Sequence, residues 1–220
     1  MKREYNINED EWELIFHAPL IDDGVDVVHG LVPTITTKSG VVTFGDPQGV
    51  YIDGTKGGNQ AYDALRYTFP QNLCTLYAND KEFLATATIK YTYTKSVPLA
   101  GVTGWLPNNQ CIASPAPRGG WGTILPFAIP YNTEYTFYNH IVHTASTRDG
   151  HTSNSINDTV VQDAGNIIPG TANRNFVVIG NTWASNNQYY VGHIRDFKIY
   201  RYIGGGAIGS LSTSWSSYND

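Results

Sequence analysis

The stretch Tyr189–Ile203, YYVGHIRDFKIYRYI, decides the fold. Its apolar positions are Ile194, Phe197 and Ile199, with Asp196 and Lys198 set among them. The spacing is three and then two, which fits neither a regular helix nor a regular strand. A strand with one inserted residue does fit, because a β-bulge turns a spacing of two into three and returns the side chains to one face. Gly192, just before, suits a close backbone approach or an unusual φ. The expectation is a bulged strand whose Ile194, Phe197 and Ile199 share one core.

The rest of the chain agrees with a β protein. The 220 residues suit one large domain or two small ones. The 22 Gly and 15 Tyr, with much Thr and Asn, disfavour helix and favour strands joined by turns. A net charge of −5 with no basic cluster argues against a nucleic-acid or anionic-membrane partner, since both need a concentrated positive field. Cys74 and Cys111 lack CxxC spacing and are read as free thiols rather than a bridge. The start, MKREYNINEDEWELIF, is polar and has no apolar h-region. No Sec signal is therefore expected. Either excision from a longer secreted protein or release by another route, such as lysis freeing a virus particle, is expected. No apolar run approaches the roughly 18–20 residues of a membrane helix.

Strands recur along the chain. Trp12, Leu14, Phe16 and Ala18 alternate with Glu11, Glu13 and His17, as in a half-buried strand. Short strands are expected at Val41–Phe44 and Gly49–Ile52, split by Asp46-Pro47. Leu65, Tyr67 and Phe69 alternate again. In EFLATATIKYTYTK, Phe83, Ala85, Ala87, Ile89, Tyr91 and Tyr93 line one face, and Leu84, Thr86, Thr88, Lys90, Thr92 and Thr94 line a face in water. Residues 97–130, rich in proline, read as short strands and long surface loops. Strands return at Tyr135–Thr144, around Asn157-Asp158, and in NFVVIGNTW. About a dozen strands and almost no helix predict an all-β sandwich. Residues 1–10 read as an arm, 11–204 as the domain, and 205–220 as a Gly/Ser-rich tail.

The order of motifs resembles the laminin-G-like jelly rolls of the concanavalin A-like lectin/glucanase superfamily. Ile179-Gly180-Asn181, a loop over Thr182–Gln188, and Gly192–Tyr200 resemble that family's closing strands. Tyr138–Val142 with Ser155–Asp158, Leu14–Leu20 with Asp22-Asp23, and Tyr51–Gly54 resemble earlier ones. The resemblance implies a two-sheet antiparallel jelly-roll sandwich over residues 12–203. Tyr138, Asp158 and Arg195 depart from the family pattern, and Arg195 replaces an acid that in many members lies beside a structural Ca²⁺.

Candidate chemistry is sparse. The E-x-D-x-x-E string of the superfamily's glucanases, which presents two carboxylates on one face, does not occur, and Glu9–Glu13 has the wrong spacing. There is no HExxH and no G-x-S-x-G. His140 and His143, three apart on a strand, face opposite sides, so His140 is read as a structural group bonded to backbone. Asp22, Asp23, Asp26, Asp46 and Asp53 are candidate donors for a structural Ca²⁺. Their preferred reading is loop bending through their own backbone, and no cofactor or metal is expected.

Binding is the better-supported activity. Aromatic rings stack on the apolar faces of sugars, while fixed polar groups bond the hydroxyls. Trp105, Trp121 and Trp183 fall in predicted loops, with Arg118 and Asn187 as polar company, and these five are the candidate ligand residues. The expectation is a non-enzymatic carbohydrate-binding or adhesion module on a virion or extracellular surface, with a phage decoration, fibre or tail protein as one setting. Its partner would be a glycan or surface protein, with other virion subunits or a second copy as alternatives. A structural assembly protein is the second reading, and a glycoside hydrolase with an atypical site the third.

Overall fold

A computed structural model describes residues 7–35, 41–53, 65–77, 80, 82–92, 103–106, 110–113, 132–142, 150–156, 159–167, 176–179 and 191–204. In chain order the elements are β1 (Trp12–Ala18), β2 (Thr34–Ile35), β3 (Val41–Thr43), β4 (Val50–Asp53) and β5 (Leu65–Thr68). A short helix α1 (Gln71–Leu76) follows, then β6 (Glu82–Tyr91), β7 (Thr103–Leu106), β8 (Gln110–Ala113) and β9 (Glu134–Val142). The last are β10 (Gly150–Ile156), β11 (Thr159–Ile167), β12 (Phe176–Ile179) and β13 (Val191–Tyr202). All pairings are antiparallel. One sheet of eight strands runs β11-β10-β9-β6-β13-β4-β3, with β1 also paired to β13; a second runs β2-β5-β12-β7-β8. This is the expected all-β, two-sheet arrangement. Two elements have no forerunner in the sequence reading, the two-residue β2 and α1; α1 carries Cys74, while Cys111 lies on β8.

The core lies between the sheets. Phe16, Val50, Ile52, Phe83, Ala85, Ile89 and Phe137 from the large sheet meet Leu65, Tyr67, Val177 and Ile179 from the small one. The Phe16 and Tyr67 rings cross edge-on at 4.9 Å. Burying each such side chain contributes about 1.5–3 kcal/mol. Tyr67 brings a hydroxyl into this core and donates it to the Gly24 carbonyl at 2.6 Å, so the polar group is satisfied.

The opening stretch behaves as its spacing requires. The β13–β6 register shifts between Arg195 and Lys198. Asp196, the inserted residue, has φ +53°. Its amide donates to the Pro19 carbonyl at 3.0 Å instead of to the ladder. Ile194, Phe197 and Ile199 all sit in the core. The bulge also lets β13 change neighbours, from β4 at Val191–Ile194 to β1 at Phe197–Tyr202. Gly192 takes the unusual φ, +151°, while close approach is needed at Gly49. Gly49 has φ +108°, and a Cβ there would lie 2.1 Å from the Ile194 carbonyl oxygen.

Two expectations are corrected. The alternation of β1 is broken, because its register with β13 shifts between Leu14 and Phe16. Phe16 and Ala18 enter the core, whereas Trp12 pairs with Tyr202 and Leu14 with Tyr200 on the opposite face. In β6, Phe83, Ala85, Ala87 and Ile89 are core as expected, but Leu84 and Thr86 on the other face are also buried rather than in water. Ile156 pairs with Thr159, as the hairpin reading requires. The Asn157-Asp158 turn itself, His143, and residues 205–220 lie outside the described residues.

Candidate functional site

In an antiparallel sheet, directly opposed residues project to the same face. The register therefore fixes what the large sheet shows on the side away from the core. Tyr51 of β4 pairs with His193 of β13, His193 with Lys90 of β6, and Lys90 with Glu134 of β9. These four residues form one rung across four strands. The next outward rung is Arg195, Thr88 and Thr136.

The rung is rigidly organised. Tyr51 and His193 lie ring to ring at 5.1 Å. His193 Nε2 meets Asp46 Oδ2 at 3.3 Å. Asp46 Oδ1 accepts from the Gln48 amide at 2.8 Å, and Lys90 Nζ donates to Gln48 Oε1. Arg195 grips Glu134 with both terminal nitrogens, through Nη1 to Oε1 and through Nη2 to Oε2 at 3.0 Å. Such a two-point grip fixes both partners. It holds the Glu134 carboxyl below the usual glutamate range. The Gln48 amide, outweighing what burial opposes, and then His193, do the same for Asp46. Nearer β1, Asp196 Oδ1 receives His17 Nε2 at 3.0 Å and Lys198 Nζ at 3.4 Å. Burial works against its charge, but these two partners prevail and its pKa lies below the ordinary value.

A second cluster lies on the same face, at the far end of β6 and β9. His140 Nε2 meets Glu82 Oε1 at 2.8 Å, with both side chains buried. Glu82 Oε2 is buried with no hydrogen-bond partner among the described residues. Trp12 meets His140 edge-on at 6.2 Å and Tyr202 at 5.2 Å. Trp12 and Leu84 are buried yet stand outside the main core. His140 thus bonds a buried carboxylate, where the sequence reading gave it backbone.

The loop aspartates bend loops. Buried Asp26 accepts from the amides of His17 (2.8 Å), Val28 (3.2 Å) and His29 (2.8 Å), and Asp23 accepts from Val25 (2.9 Å). Among the described residues no group of three or more His, Cys, Asp or Glu is arranged to hold a metal ion.

Of the expected ligand residues, Trp105 is on a strand and not in a loop. It lies on β7, paired with Phe176 and Cys111. Trp121, Arg118, Trp183 and Asn187 lie outside the described residues. Sequence reading missed Tyr51, Lys90, Glu134 and His193 as a group. Their signal was present, since Lys90 and His193 each stand next to a core isoleucine, Ile89 and Ile194, and so face outward. What was lacking was the cross-strand register that aligns them.

No protein-family model and no curated protein matches the chain. Solved structures do. Domain 4 of AbnA, an extracellular GH43 arabinanase from Geobacillus stearothermophilus in complex with arabinotriose, superposes with a TM-score of 0.52 at 16% identity. The match covers 88% of this chain and 95% of that one. Trypanosoma rangeli sialidase gives 0.49 at 12% identity over 87% of this chain but 31% of its own. The alginate lyase Aly36B gives 0.40 at 12% identity, over 70% and 82%. At these identities the likeness is one of fold, and it agrees with the two-sheet sandwich. It also overturns the expectation of a non-enzymatic adhesion module displayed on a phage particle. A structure this chain matches over most of both lengths is a domain of an arabinanase.

Proposed function

We propose that this chain is a glycan-recognition sandwich serving carbohydrate processing, and that the sugar lies on the outer face of the large sheet along Tyr51, His193, Lys90 and Glu134. The observation that carries the reading is that rung. It combines an aromatic ring with fixed donors and acceptors on rigid strands, and a polyhydroxyl ligand needs both. The AbnA domain, nearly all of which this chain spans, was solved with arabinotriose bound. The ordered motifs make a laminin-G-like sandwich part of the same proposal. Trp105, Trp121, Arg118, Trp183 and Asn187 are kept as a second proposed contact.

The test is titration calorimetry and affinity electrophoresis of the full chain against a polysaccharide panel. Tyr51→Ala and Arg195→Ala are each expected to weaken binding about tenfold, equivalent to about 1.4 kcal/mol. Variants at Trp105, Trp121 and Trp183 read the second contact separately. Release of reducing ends from the bound glycan reads whether the chain itself turns it over. Failure of the parent to bind any glycan, or parental binding by the face variants, refutes the proposal.

A further inference from the structure

We infer that the glycan taken by this face is neutral, and that chains bearing carboxylate or sulfate groups are excluded. The inference rests on the glycan reading and adds the substrate class.

It follows from how the charges are layered. The pairs around the rung and the Asp196 insertion place the carboxylate outward and its basic partner beneath. Asp46, Glu134 and Asp196 side chains are 40%, 43% and 50% exposed, whereas His193, His17, Arg195 and Lys198 lie between 13% and 28%. Both Glu134 oxygens hold the Arg195 guanidinium, and Asp196 is shared by His17 and Lys198. These basic groups are already committed to the protein's own carboxylates. Lys90 donates to the neutral Gln48 amide and stands directly opposite Glu134 in the β6–β9 register. A ligand approaching from solvent therefore meets carboxylate oxygens first. Those oxygens accept only, so they suit the O–H donors of a neutral sugar and repel an incoming anion. Because the pairs are half-exposed, that repulsion is screened by salt.

The experiment compares neutral arabinan and xyloglucan with polygalacturonate, alginate and chondroitin sulfate. The proteins are the parent, Asp46→Asn, Glu134→Gln and Tyr51→Ala, each checked for the parental circular dichroism. The expected result is parental binding of a neutral glycan at least tenfold tighter than of any acidic one. Asp46→Asn and Glu134→Gln should narrow that gap, as should raising salt from 20 to about 500 mM, a range over which the screening length falls severalfold. Equal or tighter binding of an acidic glycan, lost on Tyr51→Ala, overturns the charge inference and leaves the glycan face standing. No binding to any glycan, or binding indifferent to Tyr51→Ala, overturns both.

Discussion

Replacing Glu82 by alanine should cost this domain far more than an average substitution. Glu82 and His140 are 4% and 8% exposed, and their Nε2 and Oε1 atoms lie 2.8 Å apart. Two such atoms approach so closely only by sharing a proton. Removing one partner of a buried pair costs about 3–5 kcal/mol, because the other must find new solvation in place. A domain of this size loses about 2–4 °C of melting temperature per kcal/mol, so Glu82→Ala should melt roughly 6–20 °C below the parent. The double replacement Glu82→Leu with His140→Phe should behave differently. Trp12 and Leu84 already make the surroundings apolar, and Glu82 Oε2 lacks a partner among the described residues. Exchanging an imperfectly satisfied pair for packed hydrocarbon is often neutral or stabilising. Urea unfolding of Glu82→Leu, His140→Phe and the double replacement forms a double-mutant cycle, and its coupling energy should exceed about 1.5 kcal/mol, well inside the range seen for contacting residues. Additive losses, or a Glu82→Ala penalty under 1 kcal/mol, would refute the claim that the two side chains act as one buried unit.

Other positions give sharper contrasts. Phe197→Ala removes a fully buried ring that meets Phe16 at 5.8 Å, and should cost about 3–5 kcal/mol in urea unfolding, whereas exposed Val27→Ser should stay within about 0.5. Gly49→Ala places a carbon against the Ile194 carbonyl at a positive φ and should destabilise by at least about 1–3 kcal/mol, measured the same way. Acid should loosen the Arg195–Glu134 clasp. The folded-state pKa of Glu134 is depressed, so its stabilising contribution is complete above the unfolded glutamate value of 4.5 and is lost as pH falls through the lower folded value. Carbon-detected NMR titration should show Glu134 titrating below the ordinary glutamate value, and Arg195→Ala should return it towards that value.

The fold was legible where burial alone dictates sequence. Ile194, Phe197 and Ile199 betray their bulge by spacing, and Leu65, Tyr67 and Phe69 betray β5 by strict alternation, because each must reach one core. The bulge in β1 did leave a mark, since Ile15 is apolar where alternation calls for a polar residue, and it too is buried in the core. The regular alternation of Trp12, Leu14, Phe16 and Ala18 masks it, because the change of face exchanges one apolar pair for another. Helix α1 was missed because QNLCTL is too short to show a period and follows Pro70 without a side-chain cap. The candidate site was scarcely legible. Its residues come from β4, β6, β9 and β13, so they span 84 positions between Tyr51 and Glu134 and a further 59 to His193, and only register brings them onto one rung. Trp105, Trp121 and Trp183 drew attention instead because they fall among prolines, glycines and asparagines in the sequence, which read as loop whatever the strands do.

The two bulges explain why this outer face has a structure of its own. A regular β1 would carry Trp12 to the same side as Phe16 and into the core. The shift between Leu14 and Phe16 instead turns Trp12 towards Tyr202 and His140, where it covers the buried Glu82 pair. The insertion at Asp196 does the matching work on β13. It keeps Ile194 and Phe197 inward while leaving Arg195 and Lys198 outward on either side of it, and it projects the Asp196 carboxylate to where His17 and Lys198 meet it. Bulges are favoured where a strand must re-aim a side chain. Here they divide one sheet face into an aromatic end, built on Trp12 and Tyr202, and an ionic end, built on Tyr51, His193 and Glu134. A sheet without those insertions could present a smooth outer surface, but it could not place these side chains there without emptying the core beneath.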